Sequence, residues 1–280
     1  MPKQTQSPFR WAGGKSKMLQ DILEQMAPMV PFHKKFVDVF VGGGSVLLMM
    51  AEQYPNAELY CNDKFKWIAS FWSVVSDTND ANLNQLLELM QAKPTIDLFN
   101  QLSETPPTNI VEEAYRGVFF NRCCFSGIVK LDTNGYSVKS NPIGGKDQKS
   151  KWTVSCRYNI KKLRQKILAC HELLKGRTYV ECQDFSEYQP LTETNYPCYA
   201  DPPYFDKGKM LYHEAMIPDE HIKLAEILNT RDNWVASYDD VPAIRELYKD
   251  QTIVDLQARY SINGAKKNWV KKNELLIIGD

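Results

Sequence analysis

The sequence predicts an open α/β sheet of seven strands with a mostly helical insertion over residues 76–177. Three observations predict it. FVDVF at 36–40 and AELYC at 57–61 are short β-rich runs separated by a glycine turn and a helical stretch, a βαβα opening. Strand and helix signals alternate again after residue 177, with TYVEC, YPCYA, WVASY, TIVDLQA and ELLIIG as strands. The last two are joined by some 15 residues with no clear helix signal, which predicts an antiparallel hairpin at one sheet edge.

In chain order, Met18, Leu19, Ile22, Leu23 and Met26 fall at helical spacing and predict an amphipathic helix over 16–26. FVDVF is the first strand, Gly42-Gly43-Gly44 a tight turn, and Ser45 the cap of a helix running to Tyr54. AELYC is the second strand, followed by a helix rich in Trp and Phe from Lys64. Within the insertion, helices are expected near 80–91 and 112–120, then a region rich in Gly, Asn and Lys over 131–151. Asn159 caps a helix with Ile160, Leu163, Ile167 and Leu174 on one face, closed by Gly176. Later helices open at Pro218 and after Pro242. Residues 1–75 and 178–280 thus form one unit and 76–177 a second.

The 280 residues are 43% hydrophobic and 24% charged, ordinary for a soluble globular chain, and no apolar run approaches the ~18 residues of a membrane span. MPKQTQSPFR has no apolar core of a signal peptide, so the cytoplasm is the expected location and no membrane partner is expected. Seven cysteines with neither CxxC nor histidine at ligand spacing predict reduced thiols, most in or near the core, and no metal site. The net charge of zero hides an imbalance. Residues 115–177 hold 14 Lys and Arg against 3 Asp and Glu, and residues 259–272 hold five cations around Trp269 with no acid. Such segments suit a polyanion, with a solvated lysine-rich face as the plain alternative.

Open α/β sheets bind ligands beyond the carboxyl ends of their strands. Three groups stand there. Gly42-Gly43-Gly44 follows the first strand and permits close backbone approach, though a plain tight turn reads equally well. Asp63 follows the second strand, where an acid binds ribose hydroxyls or simply caps a turn. The third is Asp201-Pro202-Pro203-Tyr204, ending YPCYA. Proline fixes φ and removes a donor, so this exit is stiff. An exocyclic amine on a nucleobase is a poor nucleophile because its lone pair is delocalised into the ring. Acceptors on its two hydrogens, the Asp201 carboxylate and the Pro202 carbonyl, draw the nitrogen toward sp³, while Pro203 fixes the carbonyl and Tyr204 offers a stacking face. A strand ended by a Pro-Pro turn is the plain alternative. FRWAGGKSKM at 9–18 is not a phosphate loop, since Phe9 stands where the first glycine is required and no apolar strand precedes it.

The ordered set FRWAGGK (9–15), FVDVFVGGGS (36–45), CND (61–63), NRxxFSG (121–127), CQDF (182–185), DPPY (201–204) and ELLI (274–277) resembles the Dam-type, alpha-group DNA adenine-N6 methyltransferases over nearly the whole chain. The resemblance implies a Rossmann-like methyltransferase sheet, an inserted target-recognition domain, S-adenosylmethionine as cofactor and adenine in DNA as substrate. It implies that Trp11 and Lys15 contact the cofactor, with Asp38, Phe40, Gly42, Gly44 and Ser45 along its methionine portion. By the same matching, Asp63 binds ribose, Asp184 and Phe185 the adenine edge, and Asp201 both cofactor and target amine. The amine is reached by flipping the adenine out of the duplex. Arg116, Asn121, Arg122, Lys139, Lys146, Lys149, Lys151 and Arg157 are the DNA-contact candidates. The chain departs from GATC-reading members at Cys123-Cys124-Phe125-Ser126 and in SNPIGGKDQKSKW, so the target is GATC or a relaxed relative. A cognate restriction endonuclease, and a monomer or weak dimer on DNA, are compatible with the resemblance. The competing readings are a methyltransferase for cytosine N4, RNA or protein amides, and a DNA-binding protein without activity.

Overall fold

The computed structural model describes residues 4–11, 14–15, 18–206, 208, 213, 215–261 and 269–279, with side chains omitted at 32–33, 257–261 and 269–272. The strands are β1 (Lys35–Asp38), β2 (Glu58–Asn62), β3 (Thr178–Glu181), β4 (Cys198–Ala200), β5 (Trp234–Asp239), β6 (Thr252–Ser261) and β7 (Trp269–Gly279). They form one sheet in the order β3-β2-β1-β4-β5-β7-β6. The first five pair in parallel, and β7 lies antiparallel to both its neighbours. The expected edge hairpin is present, but its second strand lies inside the sheet and its first forms the edge. Burial explains the order. Leu275, Leu276, Ile277 and Ile278 are all buried, whereas β6 exposes Thr252 and Asp255.

Alternation along the strands sends side chains to two cores. Phe36, Leu59, Cys61, Tyr199, Val235 and Leu276 join one core with the helices Leu19–Met26, Ser45–Gln53, Lys66–Ser76, Asp80–Leu89, Ile110–Cys123 and Ile160–Leu174. Val37, Val39, Ala200, Ala236, Tyr238 and Ile277 join the other with the helix Pro218–Asn229. The Lys66–Ser76 helix buries Trp67, Ile68, Phe71, Trp72 and Val75 on nearly every side, because Ile110–Cys123 packs on it. Residues from 76–177 therefore share the first core with the sheet.

Local signals place most boundaries. Asn159 accepts a hydrogen bond from the Lys162 amide at 3.0 Å, the expected cap, and Gly176 has φ +74°. Asn79, Thr95 and Asn109 cap three further helices through their side chains. Ser45 is not the expected cap. Gly44, at φ +70°, is the residue before the helix, and Ser45 is already helical. Cys61, Cys123, Cys124, Cys170 and Cys198 are buried free thiols, while Cys156 and Cys182 are exposed. Among the described residues, no helix is long and apolar enough to cross a membrane.

Candidate active site

The strand order brings together what the sequence keeps apart. β1 and β4 are neighbours whose outgoing connections lead to opposite sides, the switch point of the sheet. Beyond the carboxyl ends stand Asp184 after β3, Asp63 after β2, the glycine turn after β1 and Asp201 after β4, in that spatial order. All four line one cavity, which encloses about 1270 Å³ with its open mouth included. Trp11, Lys15, Asp38, Phe40, Gly42, Gly44, Ser45 and Phe185 also line it.

Each wall has a physical cause. Asp63 Oδ2 accepts from the Gly42 amide at 2.8 Å and Oδ1 from the Phe65 amide at 2.9 Å, so one carboxylate ties the first turn to the second. Trp11 lies against the glycine turn: a Cβ at Gly42 or Gly43 would stand 2.8 Å from its side chain. Asp38 is buried, and its Oδ1 is an orphan among the described residues. Burial, then the nearby Asp201 and Asp63 carboxylates, push its carboxyl well above the usual range, against donation from the Phe40 and Leu47 amides. Asp184 Oδ1 accepts from the Ser186 amide and hydroxyl at 3.1 and 2.8 Å, and Oδ2 from Lys64 at 3.0 Å. Partial burial opposes ionisation there, but the Ser186 bonds and Lys64 outweigh it and hold the carboxyl below its ordinary value. Phe185 packs on Phe40 with ring centroids 5.8 Å apart.

At the elbow after β4, Asp201 Oδ1 stands 2.6 Å from Lys15 Nζ and accepts from the Ser237 hydroxyl at 3.0 Å. Ser237 is itself 2.7 Å from the Tyr199 hydroxyl. Both contacts fall on Oδ1; among the described residues Oδ2 accepts none, and 18% of the side chain remains exposed. Burial pushes this carboxyl up; Lys15 pulls it back, Glu274 raises it again and the Ser237 bond lowers it. Lys15 lines the cavity and holds the chain's own Asp201 carboxylate. One expectation is corrected here. Tyr204 offers no open stacking face: it is 3% exposed, and its hydroxyl lies 2.9 Å from Glu274 and 3.3 Å from Lys15. Pro202 is buried, and Pro203 lines the cavity. Ser237 was missed by sequence reasoning, and Glu274 was singled out only as the head of the ELLI motif, with no role given to it.

Of the DNA candidates, three point inward. Arg116 is 2% exposed and donates to the Leu102 carbonyl and, at 3.3 Å, to Thr105 Oγ1. Asn121, 1% exposed, staples Arg10 through its amide and carbonyl at 2.7 and 3.0 Å and binds the Gly127 carbonyl at 2.9 Å. Arg122 donates to the Pro8 carbonyl, and burial lowers its guanidinium to about 10. Asn121 and Arg122 anchor the segment carrying Trp11 and Lys15, whereas Arg116 ties its helix to residues 102–105. Lys139, Lys146, Lys149, Lys151 and Arg157 are exposed, Lys139 beside Asp132 at 3.0 Å. Between Lys151 and Arg157 stands Trp152, 57% exposed, with the two cations 5.7 and 5.9 Å from its ring. Phe125 is 68% exposed on a turn fixed by its amide bond to the Asn141 carbonyl and by Gly127. The side chains of the basic run 259–272 lie outside the described residues.

Behind the elbow, His221 is 1% exposed, 3.2 Å from the Tyr238 hydroxyl and against the Phe205 ring at 5.1 Å. Burial depresses its imidazole to about 4. An unfolded histidine takes up its proton near pH 6.5, so between pH 6.5 and 4 the unfolded state binds more protons. Stability is therefore full above pH 6.5 and falls as pH drops toward 4, by about 3 kcal/mol from this group. Urea midpoints at pH 7.5 and 5 measure this, and His221→Gln flattens the difference; an unchanged slope refutes the assignment.

A parallel-centred sheet with acids and a glycine turn around one cavity, and a stiff Asp-Pro-Pro elbow at its end, is the architecture of the open α/β enzymes, which bind their ligands at the switch point. The family model for D12 class N6 adenine-specific DNA methyltransferases matches residues 11–262, and the chain belongs to this family. It is similar to the Type II methyltransferase M.MjaIII of Methanocaldococcus jannaschii, 24% identical over 212 residues, covering 67% of this chain and 71% of that protein. It is also similar to the DNA N-6-adenine-methyltransferase of Escherichia phage P1, 23% identical over 278 residues. That match covers 91% of this chain and 33% of the phage protein's length. The chain is thus a DNA N6-adenine methyltransferase by family.

Proposed function

We propose that the chain transfers a methyl group from S-adenosylmethionine to the N6 amine of an adenine flipped out of double-stranded DNA, at GATC or a relaxed relative of it. The observation that carries this reading is Asp201 Oδ2, unbonded among the described residues, on the wall of a cavity at the switch point. The donor suits the residues present: an orphaned buried oxygen at Asp38 Oδ1, two further acids, and a roomy cleft. Trp11, Asp38, Phe40, Gly42, Gly44 and Ser45 would hold its methionine portion, Asp63 its ribose, and Asp184 with Phe185 its adenine. When bound, it supplies a methyl on a positively charged sulfur.

The chain's own work is at the amine. Asp201 Oδ2 and the Pro202 carbonyl accept its two hydrogens and release the nitrogen lone pair from the ring. That pair would form the new N–C bond, the pair of the broken S–C bond would leave with the donor as a neutral thioether, and the proton shed by the nitrogen would pass through Asp201 Oδ2 to solvent. Holding nitrogen and methyl in line supplies the remaining acceleration. Residues 76–177 act as the target-recognition region in this reading, supported by their exposed cations and rings.

Incubation with methyl-labelled S-adenosylmethionine and unmethylated DNA, followed by digestion to nucleosides, should place the label on N6-methyladenine. Label on N4-methylcytosine, RNA or protein would overturn the reading. Modification-sensitive sequencing of DNA from a methylation-free host expressing the chain gives the target.

For docking, DNA affinity should fall steeply between 50 and 200 mM salt, roughly a thousandfold for about six phosphate contacts. Arg157→Gln reduces the salt slope by about one. Phe125→Ala weakens binding by about 1–3 kcal/mol at every salt concentration, as loss of a stacked base does, and leaves donor affinity unchanged. Salt-independent binding would rule out phosphate-led docking.

A further inference from the structure

Glu274 has no assigned part in the site and does not line the cavity, yet it contacts Tyr204 and Lys15 behind Asp201. It lies on β7, opposite Asp239 of β5, and is 1% exposed. Its Oε1 accepts from the Tyr204 hydroxyl at 2.9 Å, and its Oε2 is 3.8 Å from Lys15 Nζ. Because that hydroxyl donates to Glu274, its oxygen is left to accept from Lys15, which is 3.3 Å away. The lysine is thus held at three points: Asp201 Oδ1, the Tyr204 oxygen and the Glu274 carboxylate. One cation is shared by two carboxylates, the buried one of Glu274 and the partly exposed one of Asp201.

We propose that Glu274 is a positioning residue for methyl transfer, acting through Lys15 and Tyr204 on Asp201. The inference rests on the reading of Asp201 as the amine acceptor. Two physical effects follow from the geometry. The three-point hold on Lys15 fixes Asp201 Oδ1, and with it the direction in which Oδ2 faces the cavity. A second carboxylate also draws on the lysine's charge, so Asp201 keeps more of its acceptor strength than it would in an exclusive ion pair at 2.6 Å. That strength matters when positive charge passes from sulfur to nitrogen during transfer.

Glu274→Gln tests this, because the glutamine oxygen can still accept from Tyr204 while the charged oxygen nearest Lys15 becomes a neutral NH2. Single-turnover kinetics on DNA should show kcat lowered roughly 100-fold, the scale of a small misplacement at a reacting group. Donor affinity, titrated directly by calorimetry, should stay within about 3-fold of the parent, separating positioning from binding. The Lys15→Gln variant should be slow as well, and adding Glu274→Gln to it should cost no more, as expected of residues that act as one unit. Tyr204→Phe cuts the same link without removing a charge and should lower kcat by about 10-fold, so the idea stays testable if Glu274→Gln folds poorly. A Glu274→Gln kcat within about 3-fold of the parent, a parallel loss of donor affinity, or losses that multiply in the double variant would each overturn it. Asp201→Asn is the control: if that variant turns over normally, the acceptor reading fails first, whatever Glu274 does.

Discussion

Asp201→Asn lowers the rate of methyl transfer by about 10²–10⁴ while the fold is retained. The amide has the shape of the carboxylate but presents two hydrogens along with its oxygen, so the acceptor pair at the amine is lost or inverted. Folding survives because Lys15 keeps Glu274 within 3.8 Å and the Tyr204 hydroxyl within 3.3 Å. The lysine is not stranded. Single-turnover measurements with saturating donor and DNA read the effect, and a rate within about 3-fold of the parent would remove Asp201 from the chemistry. The parent's own pH profile carries the same assignment. In the proposed mechanism the acceptor works as a carboxylate, and burial holds the Asp201 pKa above the ordinary 3.8, so activity should be lost as pH falls through that raised value. The acid limb therefore lies above pH 3.8, and Asp201→Asn abolishes it along with most of the rate.

Gly44→Ala costs about 3–5 kcal/mol of stability. The residue sits at φ +70°, and a Cβ there would stand 2.2 Å from the Trp72 ring. That ring has nowhere to go, since it is fully buried and its Nε1 donates to the Gly42 carbonyl at 2.9 Å. The strained backbone contributes about 1–3 kcal/mol and the overlap about as much again. Thermal melting should show a loss on the order of 10 °C. Gly135 separates the two causes. It has φ +76° with nothing within 4 Å of a built Cβ, so Gly135→Ala should cost only about 1–2 kcal/mol, the conformational share. Equal losses at both positions would show that the packing of Trp72 is irrelevant.

Strand identity, the glycine turn, the Asp-Pro-Pro elbow and the helix opened by Asn159 were all legible, because each is encoded by neighbours in the chain. Alternation, glycine, proline and capping residues act over a few positions. The family order of motifs added the class of chemistry. Burial of the cations in Ile110–Cys123 was not legible: Arg116 sits on a helix buried nearly all round, so charge composition pointed outward where packing sent it inward. Exposure of Phe125 and Trp152 was hidden for the converse reason.

The sequence by itself determined the elements, the stiff exit at Asp201 and the acids at strand ends, since those depend on bonds and dihedrals within a few residues. Only the tertiary structure decided that β7 lies between β5 and β6, and so that Glu274 meets Tyr204 from 70 residues away and Lys15 reaches Tyr204 across 189. Contacts at such separations follow from how strands are ordered and loops closed, and they leave no periodic trace in the residues between.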